Sequence, residues 1–253
     1  MALDTKGLIH IWGCGEQNQL GHHINERLDV EQKGCLYPSL LRTGTRKYKA
    51  IYTGADHCFA IDTKDQVWSW GLNSFGATGI AAGAGDDNAA VYTPSLVKAL
   101  NNSNSNIVHM AGGQHHSIAI NSAGQALVFG RTDGAQTGLD LSTLPDSSLI
   151  RDENNVARIV IVPTPLPHIG TAVYASAGTD TSIVLNKAGL AYSWGFGANY
   201  QTGQGVTADI ATPTHIDNTA VRGRVLKWSG CGGQYSLLAA PAVGGVGNGV
   251  GGV

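Results

Sequence analysis

The sequence predicts an all-β protein built from repeats, and three observations carry that prediction. Glycine makes up 35 of 253 residues and charged residues make up 13%, about twice and about half their usual shares. Many glycines and few charges suit short strands joined by tight turns, whereas long amphipathic helices would need more Glu, Lys and Arg. Apolar runs flank turn residues as strands do. The third observation is a motif that recurs in a fixed phase, which indicates a propeller or an array.

The recurring motif begins with an aromatic residue followed by glycine. It closes nine residues after the aromatic with a second glycine, and its copies start at intervals of 58, 59 and 65 residues. Glycine after the aromatic lets the backbone turn where a Cβ atom would clash, and the closing glycine is expected to take a positive φ. The four copies span residues 12–21, 70–79, 129–138 and 194–203.

Each copy also predicts a hairpin that ends at the aromatic residue. An Asp or Asn that starts a turn lies between two apolar runs, which is typical of a β-hairpin. A third strand precedes each hairpin, and a fourth is inferred from the propeller architecture. The stretch 139–160 is expected to be a loop insertion. The four turns begin at Asp4, Asp62, Asn121 and Asn186.

The first copy, IWGCGEQNQLG at residues 11–21, invites comparison with a phosphate-binding loop. The dinucleotide fingerprint requires a third glycine where Asn18 stands, and a helix directly after it. A P-loop requires a Gly-Lys-Ser/Thr ending, which is absent. The stretch is therefore interpreted as the end of a strand and its outgoing loop.

These motifs carry a resemblance to a known family. The segments GCGEQNQLG, AGGQHHSIAI and GFGANYQTGQG resemble the regulator of chromosome condensation family, in the same order. The resemblance implies a seven-bladed β-propeller, of which residues 1–238 would form about four blades as an open arc. Residues 239–253, rich in Gly and Val, are expected to be a disordered tail.

The resemblance also implies a function. Members of the family are guanine nucleotide exchange factors for the small GTPase Ran, bind chromatin, reside in the nucleus, and serve nucleocytoplasmic transport and mitosis. Exchange needs no covalent catalysis, cofactor or small-molecule substrate. The family inserts a β-wedge from a blade that has no counterpart in this chain. A chain of this extent is therefore expected to exchange nucleotide poorly by itself.

Candidate GTPase-facing residues lie in four Gly-x-x-His-like loops. The third position of each loop varies, which suits a binding face better than an internal structural role. By resemblance, His115 matches the histidine that the family places against Ran. The fourth-position residues His57 and His116 are expected to hydrogen-bond backbone within their own blade. The third-position candidates are Asp56, His115, Asp180 and Tyr235.

Candidate chromatin-binding residues lie in a second region. By resemblance, the basic segment 42–49 matches the family's DNA-phosphate loop, and the loop 22–34 matches its histone-contacting loop, with Arg27 as the anchor. A solvated loop is the alternative explanation for the basic segment. Its basic residues are Arg42, Arg46, Lys47 and Lys49.

Other function classes receive less support. The net charge of −2 implies no global attraction to nucleic acid, and no apolar run approaches the roughly 18 residues that a membrane span needs. The His and Cys spacings fit no metal site. The alternative hypothesis is a propeller that only binds, as a chromatin adaptor or as part of a ubiquitin ligase. A metal- or sugar-dependent enzyme is a third class.

Overall fold

The structure is a computed structural model that describes residues 1–22, 36–102 and 106–242. These residues form five antiparallel sheets, numbered I to V along the chain. Sheet I contains β1 (Ala2–Leu3), β2 (Ile9–Ile11) and β3 (Ser39–Leu40). Sheet II contains β4 (Tyr48–Thr53), β5 (His57–Asp62), β6 (Val67–Leu72) and β7 (Ala90–Leu96). Sheet III contains β8 (Ile107–Gly112), β9 (His116–Asn121), β10 (Ala126–Arg131), β11 (Leu149–Arg151) and β12 (Ala157–Pro165). Sheet IV contains β13 (Ala172–Ala177), β14 (Thr181–Asn186), β15 (Ala191–Gly195) and β16 (Ile210–His215). Sheet V contains β17 (Trp228–Cys231) and β18 (Ser236–Ala239).

Sheets II and IV are up-and-down meanders in which consecutive strands pair, and sheet III follows the same order except that β10 pairs with β12, because β11 lies beyond β12. The inferred fourth strand is present as β3, β7, β12 and β16. The stretch 139–160 is more than the expected loop insertion, because it contains two short 3₁₀ turns, Leu141–Thr143 and Asp146–Ser148, and the extra strand β11. Strand β11 pairs with β12 at the outer edge of sheet III. Another 3₁₀ turn, Lys98–Leu100, follows β7.

The repeated glycines take the conformations that the motif predicts. Gly130 has φ +108°, and a Cβ atom there would lie 2.5 Å from the carbonyl oxygen of His115. Gly138 has φ +67°, and its Cβ would lie 2.7 Å from the indole of Trp194. The same positions in the other copies also have positive φ. Side chains are therefore excluded at both ends of this copy, and the positive φ disfavours them at the same positions of the others.

The hydrophobic core lies between neighbouring sheets. Side chains of the second strand point alternately to the sheet before and the sheet after, so all six residues of β5, β9 and β14 are buried. Phe59 and Phe129 meet edge to face at 6.3 Å in the layer between sheets II and III. Sheets stacked in this way around an axis are the blades of a propeller.

The fourth-position histidines connect neighbouring sheets, so the prediction that they bind backbone within their own blade is wrong. Nε2 of His57 lies 2.8 Å from Oγ of Ser117 in sheet III, and Nε2 of His116 lies 2.8 Å from Oγ of Ser182 in sheet IV. The Ser182 hydroxyl in turn donates to the carbonyl oxygen of Gln136 in sheet III at 3.0 Å. Each serine is thus bound by two groups of the preceding sheet.

The first and last sheets are incomplete in complementary ways. By the position of the hairpin turn, sheet I has the second, third and fourth strands of a blade, and sheet V has the first and second. Sheets I and V each leave one face uncovered among the described residues. The prediction of an all-β partial propeller that forms an open arc is confirmed.

Candidate functional site

The third-position residues occupy equivalent corners at one end of the sheets. The carbonyl oxygen of Asp56 accepts from the backbone N–H of Leu72 at 2.8 Å, and that of Asp180 accepts from Phe196 at 2.9 Å. The carbonyl of His115 accepts from Arg131 at 2.9 Å. Each donor directly follows the glycine of the aromatic-glycine pair, so the repeat itself brings the three corners to one surface.

The fourth loop, which contains Tyr235, departs from the predicted alignment by one residue. The backbone N–H of Gly232 donates to the carbonyl of Tyr235 at 2.9 Å, as Gly113 does to His116. A Cβ atom on Gly232 would lie 2.5 Å from the Tyr235 ring, and one on Gly113 would lie 2.3 Å from the His116 ring. Tyr235 therefore stands in the fourth position, and its assignment to the third position is corrected. The corner of this loop is Gln234.

His115 packs on an aromatic ring from the neighbouring sheet. Its imidazole lies 4.5 Å from the ring of Phe75, centroid to centroid, with a tilt of 38°. The guanidinium of Arg131 lies 5.1 Å from the same ring, within the range of a cation–π contact. Phe75 therefore holds an imidazole and a guanidinium side by side at the surface.

The charged side chains around His115 are oriented by ion pairs and hydrogen bonds. Arg131 forms a bidentate ion pair with Asp133, with donor–acceptor distances of 2.5 and 2.9 Å. Asp133 also lies 3.4 Å from Arg158. The side chain of Gln136, from the loop of sheet III, donates to Asp180 of sheet IV at 2.8 Å. These contacts hold the side chains in fixed orientations across sheets III and IV.

The environment keeps His115 neutral near physiological pH. Partial burial lowers the pKa of the imidazole, and the charge of Arg131 lowers it further. The carboxylates of Asp180, Asp56 and Asp133 act in the opposite direction and are outweighed. The neutral ring can then both donate and accept a hydrogen bond.

Asp56, His115 and Asp180, together with Phe75 and Arg131, are called the corner face below. Phe75 and Arg131 were not candidates in the sequence. The signal for Arg131 was available, because a charged residue follows the aromatic-glycine pair there, whereas Leu72 and Phe196 occupy that position in other copies. No sequence signal singles out Phe75, because its role depends on how sheets II and III pack.

The basic segment lies at the other end of sheet II. Lys49 pairs with Asp65 in the hairpin turn after β5, and six-residue β5 separates that turn from the Asp56 corner by roughly 17 Å. The guanidinium of Arg46 stacks 3.4 Å from the centroid of the Trp68 ring. Arg42 and Lys47 are exposed. The four cations are close in sequence, but only Arg42 and Lys47 extend freely into solvent within the described structure.

The histone-loop candidate Arg27 lies outside the described residues. The described part of the chain contains no helix that is long and apolar enough to cross a membrane. Over the same residues, no three His, Cys, Asp or Glu side chains come together as a metal site would require.

The fold and the corner geometry define a propeller of one family. The RCC1-like domain model matches residues 1–238, and the chain belongs to that family. The chain is 36% identical over 236 residues to the guanine nucleotide exchange factor SRM1 of Saccharomyces cerevisiae, covering 93% of this chain and 47% of the relative. It is 33% identical over 240 residues to protein pim1 of Schizosaccharomyces pombe, covering 94% and 43%.

Solved structures agree with this assignment. The chain matches the crystal structure of Prp20p from Saccharomyces cerevisiae at a TM-score of 0.86 and 36% identity. That structure was described together with the binding of Prp20p to Gsp1p and histones. The match covers 94% of this chain and 52% of Prp20p. The chain spans about half the length of the curated relatives it matches.

Proposed function

We propose that the corner face binds a Ran-like small GTPase and takes part in guanine nucleotide exchange. The observation that carries the proposal is the convergence of Asp56, His115 and Asp180 on one surface, with His115 oriented by Phe75 and Arg131. The family relationship supports the same function, because a relative of 36% identity is named as a guanine nucleotide exchange factor.

Nucleotide exchange depends on the difference between the free energies of binding to the nucleotide-free and the nucleotide-bound GTPase, and the corner face can supply that difference. A factor that binds the nucleotide-free GTPase more tightly than the nucleotide-bound form lowers nucleotide affinity by the same factor. No bond has to form or break in the protein. A surface of oriented carboxylates, a neutral imidazole and a paired guanidinium provides directional contacts for such discrimination.

The test is release of a fluorescent guanine nucleotide from Gsp1p, together with binding of nucleotide-free Gsp1p. We expect the chain to bind nucleotide-free Gsp1p and His115→Ala to weaken that binding roughly tenfold, as loss of a central interface residue does. The matched control is His215→Ala, which removes a partly exposed histidine from the outer strand β16. Equal binding by the wild type and His115→Ala would contradict the proposal.

The second candidate is a propeller that binds without exchanging nucleotide. The contacts of the corner face support it equally, because a binding surface needs no further part. The two candidates differ in one result of the same assay. A binding module binds Gsp1p, or another partner, without accelerating nucleotide release.

We also propose that Arg42 and Lys47 contact nucleic acid phosphates on the face of the arc opposite the corner face. Both side chains are exposed, and phosphate contacts of this kind position a protein without reading sequence. Binding of Arg27 to a histone surface and a nuclear, chromatin-associated location belong to the same proposal. Imaging of the tagged protein on mitotic chromosomes tests the location.

A further inference from the structure

A buried side-chain amide lies beside the Asp180 corner. Gln136, the eighth residue of the third motif copy, is 2% exposed. Its Oε1 accepts from the backbone N–H of Gly134 at 2.9 Å, and its Nε2 donates to Oδ1 of Asp180 at 2.8 Å. These partners fix the orientation of the amide, because a backbone N–H needs an acceptor and a carboxylate needs a donor.

The backbone of Gln136 is also bound to sheet IV. Its carbonyl oxygen accepts from the indole N–H of Trp194 at 2.8 Å and from the hydroxyl of Ser182 at 3.0 Å. Both donors are fully buried. Gln136 therefore links the buried contact between sheets III and IV to the corner face, because its side chain ends at Asp180.

The Asp180 carboxylate depends on this amide for its orientation. Among the described residues, Gln136 is its one hydrogen-bond partner. Because Oδ1 is engaged, Oδ2 is left to accept a hydrogen bond from a bound protein. A side chain that is ordered before binding spares the complex the entropy cost of ordering it.

The amide lies near a second carboxylate, that of Asp133. Partial burial acts to raise the pKa of this carboxyl group, but Arg131, then Arg158 and the Gln136 amide, lower it below its usual value. Asp133 also forms the ion pair with Arg131 on the corner face. Gln136 thus stands between Asp180 and the Asp133 ion pair.

The eighth motif position differs between copies, and so does the way the next corner is held. Glutamine stands there in three copies and accepts each time from the backbone N–H two residues earlier. In the second copy Ala77 offers no amide, and His115 packs on Phe75 instead. Neither ring nitrogen of His115 has a hydrogen-bond partner among the described residues. The three glutamines are Gln19, Gln136 and Gln201.

We propose that Gln136 is a positioning residue for the GTPase, and that its amide holds one oxygen of Asp180 so that the other meets the partner. The inference rests on the function proposed above for the corner face. Gln136 is itself too buried to touch a bound protein, so it acts through Asp180. A carboxylate of the same shape would offer no donor to Asp180, which is why the position needs an amide.

Two substitutions of Gln136 separate shape from hydrogen bonding. Gln136→Met keeps the length of the side chain without the donor, and Gln136→Glu keeps the shape but places a second carboxylate beside Asp180. We expect Gln136→Met to weaken binding of nucleotide-free Gsp1p roughly 2- to 10-fold, the factor for ordering one free side chain. Gln136→Glu should weaken binding more, because like charges repel. If only packing mattered, Gln136→Glu would be the milder change.

A double-mutant cycle shows whether Gln136 acts through Asp180. Asp180→Ala removes the carboxylate, so Gln136→Met in that background should change binding by about twofold or less, since only the contact with Asp133 remains. Equal effects of Gln136→Met in both backgrounds would overturn the proposal. Circular dichroism verifies that each variant is folded, and Gln136→Glu replaces Gln136→Met in the cycle if the latter does not fold.

The matched control is Asn186→Leu in sheet IV. The Asn186 side chain is also buried and makes three hydrogen bonds to backbone, each at 3.0 Å. It lies at the opposite end of β14 from Asp180. The substitution should lower the free energy of unfolding and leave Gsp1p affinity unchanged. An equal loss of affinity in Asn186→Leu and Gln136→Met would overturn the positioning role.

A crystal structure of Gln136→Met tests the positioning without the GTPase. We expect the Asp180 carboxylate to leave its wild-type orientation or to occupy more than one. An unchanged Asp180 side chain would overturn the role of Gln136 even if GTPase binding falls. If the wild type does not bind nucleotide-free Gsp1p, the function of the corner face fails and the role of Gln136 fails with it. Binding that depends on His115 but not on Gln136 would overturn the role of Gln136 alone.

Discussion

Nε2 of His116 in sheet III lies 2.8 Å from the hydroxyl oxygen of Ser182 in sheet IV. The Ser182 proton is directed to the Gln136 carbonyl at 3.0 Å, so His116 donates through Nε2–H and leaves Nδ1 without a hydrogen-bond partner among the described residues. The same chain of contacts joins His57, Ser117 and Ala77 between sheets II and III. These links join neighbouring blades, and protonation of either ring would bury a charge and an Nδ1–H that has no acceptor among the described residues.

Low pH should therefore lower the free energy of unfolding of the protein. Burial lowers the pKa of His57 to about 3 and that of His116 to about 4. Because these folded-state values lie below the unfolded value near 6.5, the stabilisation is complete above about pH 6.5 and is lost as pH falls toward the folded-state pKa values. Each histidine should contribute a slope of up to about 1.4 kcal/mol per pH unit in that window.

Urea unfolding between pH 4 and 7.5 measures this slope. His116→Gln keeps a hydrogen-bond donor for Ser182 but cannot titrate, so its slope should be shallower by about one proton. An unchanged slope in that variant would remove His116 from the explanation.

Ser182→Ala should destabilise the protein by about 1–3 kcal/mol. The substitution leaves the buried Nε2–H of His116 without an acceptor, and an unsatisfied buried donor costs about that much. The control is Ser69→Ala, since Ser69 is equally buried but its hydroxyl has no partner in the described structure. Chemical denaturation should find Ser69→Ala neutral or stabilising. A similar loss in both variants would mean that the inter-sheet bond contributes little.

Gly130→Ala should disturb the His115 corner as well as the fold. The residue has φ +108°, and the new Cβ would lie 2.5 Å from the His115 carbonyl oxygen. Gly205→Ala is the matched control, because Gly205 has φ +75° with nothing within 4 Å of its Cβ. We expect Gly205→Ala to cost about 1 kcal/mol from backbone strain alone, and Gly130→Ala to cost more and to weaken Gsp1p binding. Normal binding by a folded Gly130→Ala protein would contradict the role of this corner.

DNA binding, if it uses the basic segment, should depend on two of its four cations. Arg42→Ala and Lys47→Ala should each reduce the slope of log K against log salt by about 0.9, the value of one phosphate contact. Lys49→Ala should reduce it less, because Asp65 already neutralises Lys49. Fluorescence anisotropy with a short duplex at several salt concentrations measures the slopes. Equal slopes in all three variants and the wild type would exclude the basic segment as the DNA-binding site.

The sequence predicted what is local and repeated. The aromatic-glycine pairs, the hairpin turns and the positive-φ glycines depend on residues within one copy of the motif, so one copy predicts the others. Contacts between blades were not predictable, because the partner of His116 is 66 residues away and is chosen by sheet packing. The position of Phe75 under His115 was missed for the same reason.

The error at Tyr235 has a local cause. The fourth loop reads Gly232-Gly233-Gln234 and the His115 loop reads Gly112-Gly113-Gln114, so matching the two by sequence places Tyr235 on His115. Only the hydrogen bond from Gly232 to Tyr235 shows that the two loops differ by one residue. The extra strand β11 was missed because the other copies of the motif have no counterpart for it.

Hydrogen–deuterium exchange of the chain with and without nucleotide-free Gsp1p tests the central claim most directly. A GTPase bound to the corner face should slow exchange at residues 54–57, 113–116 and 178–181. Exchange at the opposite hairpin turns, residues 62–66, 121–125 and 186–190, should not change. Protection confined to those turns, or no protection at GTPase concentrations that saturate binding, would contradict the proposed function of the corner face.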